Sequence, residues 1–133
     1  MKRMGIAAVI CVLSAAAVSA AAQTAVPGPI LAAVADAGRP EADVAADARR
    51  HPAETVAFAD VRPGMKVAEL FPGGGYFSRI LAKTVGREGR LYLIPWMEPQ
   101  TGRSRALAAN PVYGNITFVD GGLIGFRPGE PLD

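Results

Sequence analysis

The chemistry in this sequence gathers in one short stretch. Glu69 lies inside the apolar run Lys66-Val67-Ala68-Glu69-Leu70-Phe71, which Pro72-Gly73-Gly74-Gly75 breaks before an amphipathic segment begins at Tyr76. Glycines at such a junction let the backbone approach a ligand closely, and a helix starting there offers unpaired N–H groups to an anion. A carboxylate within an apolar strand needs hydrogen-bond partners, so Glu69 stands out from the strand around it. A second acid, Asp120, closes another apolar run, Asn115-Ile116-Thr117-Phe118-Val119, just before Gly121-Gly122.

Other chemistries are poorly supplied. A phosphate-binding loop of the Gly-x-x-x-x-Gly-Lys-Ser/Thr kind has no match, and a Gly-x-Gly-x-x-Gly fingerprint started at Gly73 fails at Ser78. One Cys, Cys11, and one His, His51, cannot build a Cys/His zinc site. The charge balance is 14 basic against 12 acidic residues, and the surplus is Lys2 and Arg3. Without them the chain is formally neutral, with no basic stripe for nucleic acid.

The elements that must position these residues follow from periodicity. Residues 1–22 read as a signal peptide: Lys2 and Arg3, an apolar run from Ile6 to Val18, then small residues to Ala22. That run is short for a stable membrane span, so export to the periplasm or beyond is expected, with no anchor after cleavage; an uncleaved anchor is the weaker alternative. Residues 23–38 read as an Ala/Pro-rich tether and short helix, and 39–133 as the N-terminal part of a domain. Arg39-Pro40 opens a helix to about Arg50, with Asp47 and Arg50 spaced to pair on its solvated face. Pro52 starts another helix with Val56 and Phe58 as apolar positions. Val61–Met65 turns on Pro63-Gly64. Strands are expected at 66–71, 90–94 and 115–119, the first buried on both faces. Phe77, Ile80, Leu81 and Val85 make one face of a helix from Tyr76 to Val85, closed by Gly86. A short helix is expected over 102–110. Helices alternating with strands predict a parallel α/β sheet.

With the turn at the carboxyl end of the first strand, a resemblance becomes specific. Val67-Ala68-Glu69-Leu70-Phe71-Pro72-Gly73-Gly74-Gly75 resembles motif I of class I methyltransferases, an apolar strand ending in acid-x-Gly-x-Gly-x-Gly. Glu69 matches the acid, and Gly73 and Gly75 the second and third glycines. Phe71 stands where the first glycine belongs. The aromatic-Pro-Gly-Gly-Gly-aromatic form, with Arg39-Pro40, Asp47, Arg50 and Pro52 upstream, is similar to a branch of exported bacterial predicted methyltransferases.

The resemblance implies a Rossmann-like fold truncated after about three parallel strands, with N-terminal helices, and S-adenosyl-L-methionine as cofactor. It implies that Gly73, Gly74 and Gly75, with Phe71 before them, pass beside the methionine part. Glu69 would bond the loop's N–H groups or the cofactor's amino group, and Asp120 would lie near the adenine. The family's ribose-binding acid after the second strand is replaced by Pro95 and Trp96, with Glu98 two residues late. The acceptor pocket and any general base would lie beyond this chain, so the acceptor and the reacting side chains have no reading, nor has oligomeric state. Two other readings stand beside a methyltransferase: a non-catalytic exported small-molecule-binding module, and an inactive truncated product. Plain structure also accounts for single residues: a tight turn at Gly73–Gly75, packing at Tyr76 and Trp96, an ordinary turn acid at Asp120, and a surface or capping His51.

Overall fold

The computed structural model describes residues 25–96 and 99–133; the signal-peptide segment 1–22 and Glu98 lie outside the described residues. Six helices, one 3-10 turn and three strands follow in the order α1 (Gly28–Val34), α2 (Glu41–Arg50), α3 (Pro52–Phe58), β1 (Lys66–Leu70), α4 (Tyr76–Val85), β2 (Arg90–Ile94), α5 (Gln100–Ala108), the turn Pro111–Tyr113, β3 (Ile116–Phe118) and α6 (Gly122–Gly125). The strands form one parallel sheet in the order β1-β2-β3. Leu70 pairs with Ile94, and Leu93 with Phe118, so all three strands end at one edge. This is a Rossmann-like α/β arrangement.

Helices α4 and α5 cover one face of the sheet. Leu91 and Leu93 are buried there with Ala82, Leu107, Tyr113 and Ile116. Helices α1 and α3 then pack on α4 through Ile30, Ala33, Val56 and Ile80. Alternation along β2 sends Tyr92 and Ile94 to the opposite face, where Val119 and Phe126 meet them. Only the chain after β3 covers that side among the described residues, with Tyr92 and Phe126 rings 5.3 Å apart. The outer edge of β1 meets the same segment: Asp133 N–H donates to Lys66 O, and Lys66 N–H to the Asp133 carboxylate.

Several expectations are corrected by this arrangement. β1 is not buried on both faces: its residues are half-buried and Leu70 is 46% exposed, because β2, not β1, is the central strand. Phe58 is not a core position but is 93% exposed at the end of α3. Asp47 does not pair with Arg50; it takes a bidentate bond from Arg39, at 2.7 and 2.8 Å. α5 starts two residues early, and neither the 3-10 turn nor α6 had a periodic signal.

The end of α4 was legible. Gly86 caps it at φ 67°, ψ −170°, a region essentially confined to glycine. Asn115 Nδ2 donates to Ala82 O and Gly86 O, so the residue before β3 satisfies carbonyls at the end of α4.

Candidate functional site

The carboxyl edge of the sheet gathers three turns. The β1–α4 turn runs from Phe71 to Gly75 and is tied to β2 by Phe71 N–H donating to Ile94 O. Its backbone reverses within itself, Gly75 N–H donating to Pro72 O at 2.9 Å. Gly73 and Gly75 take φ of 58° and 83°, where an L side chain is strained. Gly75 is further constrained by space, since a Cβ there would meet Leu107 Cδ2 of α5 at 2.9 Å. Gly74 is different: its φ is ordinary, it is exposed, and Arg103 Nη1 lies 3.9 Å from where its Cβ would be.

Phe71 takes φ 58° without being glycine. An L side chain disfavours that angle. The ring, about half exposed, meets Trp96 edge-on at 5.5 Å between centroids. Trp96, 64% exposed, follows Pro95 at the end of β2 and is no packing residue here. The third turn joins the same edge, because a Cβ on Gly122 would lie 3.6 Å from Pro95 O. Asp120 stands at that edge too, but its carboxylate points to solvent, 83% exposed, with Arg105 Nη2 at 3.5 Å.

Glu69 lies on the face of β1 that α4 covers. Its carboxylate accepts from Ser78 Oγ at 2.6 Å, so it braces strand against helix rather than taking loop N–H groups. Burial pushes its pKa up to about 7, and the Ser78 hydrogen bond works against that rise.

A second cluster lies behind the loop, and the sequence hid most of it. Tyr76, the first residue of α4, is buried and donates its hydroxyl to Asp47 at 2.6 Å. Arg39, with 1% of its side chain exposed, grips the same carboxylate and donates to Val34 O. Arg50 covers the Tyr76 ring at 4.5 Å. The Arg39 hydrogen bonds hold Asp47 below the ordinary carboxylate range, while burial and the facing Asp47 push Tyr76 up to about 12. The upstream motif Arg39-Pro40, Asp47, Arg50 therefore meets the aromatic residue that ends the loop. One turn further along α4, Arg79 Nη1 donates to Asp43 of α2 at 3.0 Å and to Gly74 O at 3.1 Å. Its place off the apolar stripe of α4 was the only sequence signal for that role.

A groove of about 730 Å³ beside Lys83, Arg87, Tyr113 and Asn115 lies at the opposite end, where β3 begins, and does not reach the loop. Among the described residues no group of three His, Cys, Asp or Glu side chains could hold a metal. No helix among them is long and apolar enough to cross a membrane.

No family model matches the chain. Part of it is similar to protein-L-isoaspartate O-methyltransferases: 36% identical over 76 residues to the protein of Ignicoccus hospitalis, and 37% over 73 residues to that of Methanothermobacter thermautotrophicus. These matches take in 56% and 54% of this chain but 36% and 34% of the relatives. The chain thus spans about a third of the length of the curated relatives it matches. Among solved structures, a SAM-dependent methyltransferase from Aquifex aeolicus aligns at TM-score 0.46 and 22% identity, over 51% of this chain and 36% of that one. A protein-L-isoaspartate O-methyltransferase aligns at TM-score 0.49 and 22% identity, over 58% and 26%.

Proposed function

We propose that this chain, a member of the class I S-adenosylmethionine-dependent methyltransferase family through the segment it shares with its relatives, forms the cofactor-binding part of a methyltransferase. The methionine end of S-adenosyl-L-methionine would lie along Phe71 and Gly73–Gly75, its carboxylate facing the start of α4. Glu69 would act from beneath the turn, fixing β1 to Ser78 and leaving the backbone N–H groups to the ligand. Asp120, exposed at the same edge beside Arg105, would reach the adenine. Residues 25–133 would be the cofactor half of the domain and residues 1–22 its export signal; the segment read as a tether, 23–38, instead carries α1, whose Ile30 and Ala33 are buried in the domain core. Methyl transfer to an acceptor belongs to the whole protein.

The observation that carries this reading is the glycine turn between a parallel strand and a ten-residue helix, at the sheet edge where ligands bind in such folds, in a chain whose relatives are methyltransferases. The donor is a small zwitterion with a sulfonium, and the groups offered to its carboxylate are backbone amides at the positive end of a helix. Isothermal titration of residues 23–133 with S-adenosyl-L-methionine tests it, with Gly74→Asp as control. Gly74 has ordinary φ and room for a side chain, so the variant keeps the fold while placing a negative charge on the anion's path. Saturable binding in the parent and its loss in Gly74→Asp is the expected result. A folded parent that does not bind would refute the reading.

A further inference from the structure

We infer that Asp43 and Arg79 are positioning residues that set the glycine turn from behind, making α2 part of the cofactor site without touching cofactor. The inference rests on the reading that Gly73–Gly75 holds the cofactor. Arg79 Nη1 is shared between Asp43 Oδ2 at 3.0 Å and Gly74 O at 3.1 Å. Both side chains are only 18% exposed, so water competes weakly for this contact. The same nitrogen would lie 3.2 Å from a Cβ on Gly75, so the guanidinium also fills the space beneath that residue. Directing the Gly74 carbonyl inward to Arg79 fixes the peptide that joins Gly74 to Gly75, and thereby holds the Gly75 N–H opposite it on Pro72 O, since carbonyl and amide of one peptide are locked antiparallel.

The charge arrangement suits this task. An unpaired Arg79 one turn into α4 would place a loose cation near the turn. Asp43 neutralises it and fixes its direction. The neighbouring Tyr76–Asp47–Arg39 cluster holds α2 to the start of α4, so Asp43 is presented from a fixed support. A merely structural ion pair would share the burial but would not end on a carbonyl of the glycine turn.

The test uses the full chain with Asp43→Ala, Arg79→Met and both together. Three measurements are made: S-adenosyl-L-methionine affinity by calorimetry, amide hydrogen exchange at Gly75, and urea unfolding. Each single variant is expected to weaken binding roughly tenfold, and the double variant no more than either, because the two residues act through one contact. Exchange should quicken at Gly75, whose N–H donates to Pro72 O, but not in β2, and the urea midpoint should move little. Parental affinity in the single variants overturns the inference, as do losses that multiply in the double variant. A fall in urea midpoint with faster exchange throughout makes the pair structural only, and also overturns it. If the parent binds no cofactor, the proposed function fails by itself; exchange at Gly75 then decides whether the pair sets the turn.

Discussion

Replacing Arg39 by Met should be among the most damaging single changes in the described chain. The guanidinium is almost fully enclosed, makes two bonds to Asp47 and one to Val34 O, and sits 5.4 Å from the Tyr76 ring. Methionine keeps most of the stem volume, so packing changes little and the effect isolates the ion pair. Removing one partner of a buried pair costs about 3–5 kcal/mol when the other is left stranded. Asp47 keeps its Tyr76 bond and 23% exposure, which places this case at the lower end, about 3 kcal/mol. Against a domain stability of roughly 5–15 kcal/mol, that is enough to lower the urea midpoint severely. The comparison is Arg62→Met, whose pair with Asp60 is 64% and 69% exposed and should be worth less than about 1 kcal/mol. The pH dependence has a fixed sign. Asp47 has a folded pKa below its ordinary 3.8, so its contribution is present above that value and is lost as pH falls through the folded one. The gap between parent and Arg39→Met should therefore be full near neutrality and shrink in acid. Urea titrations of both variants at a series of pH values measure it. Equal losses in Arg39→Met and Arg62→Met would refute the reasoning.

Three further outcomes follow from the geometry. Glu69 has a folded pKa raised from 4.5 to about 7, so it supports the fold fully below 4.5 and loses that support as pH rises through about 7; Glu69→Gln should flatten this part of a urea-midpoint profile. Trp96 is the sole tryptophan and is exposed beside Phe71, so S-adenosyl-L-homocysteine should change its emission saturably, and Phe71→Ala should alter the amplitude. Asn115→Ala removes both donors to the end of α4 and should lower stability by about 2 kcal/mol in urea unfolding, without changing the far-ultraviolet spectrum.

What the sequence disclosed depended on the range of the interaction concerned. α4 was readable from Tyr76 to Val85 because Phe77, Ile80, Leu81 and Val85 repeat at helical spacing and Gly86 stops the run, all within one segment. β2 was readable because four consecutive buried residues precede a proline. The partners of charged residues were not. Asp47 and Arg50 stand at pairing distance on a helix, yet the Ala35–Pro40 connection brings Arg39 to Asp47 with better geometry than a helix neighbour allows. The exposure of β1 was hidden for a similar reason: apolar letters say what a strand can bury, while its place in the sheet decides what it does bury. At the candidate site the turn itself was legible, as were the residues composing it. Ser78 under Glu69 and Arg79 under Gly74 were not, since polar residues on a helix look solvated until a strand or second helix is laid against them.

Phe71 bears on how such turns change over generations. Its positive φ costs an L-residue about 1–2 kcal/mol, a load the surrounding ladder and turn evidently carry. Glycine at this position would inherit the torsion without rebuilding the loop, surrendering a half-exposed ring and its edge contact with Trp96. The two residue types are thus separated by a side chain and not by a backbone rearrangement. A lineage could exchange one for the other and keep its turn throughout. What persists across such an exchange is the sign of a dihedral angle, which no alphabet of residues records.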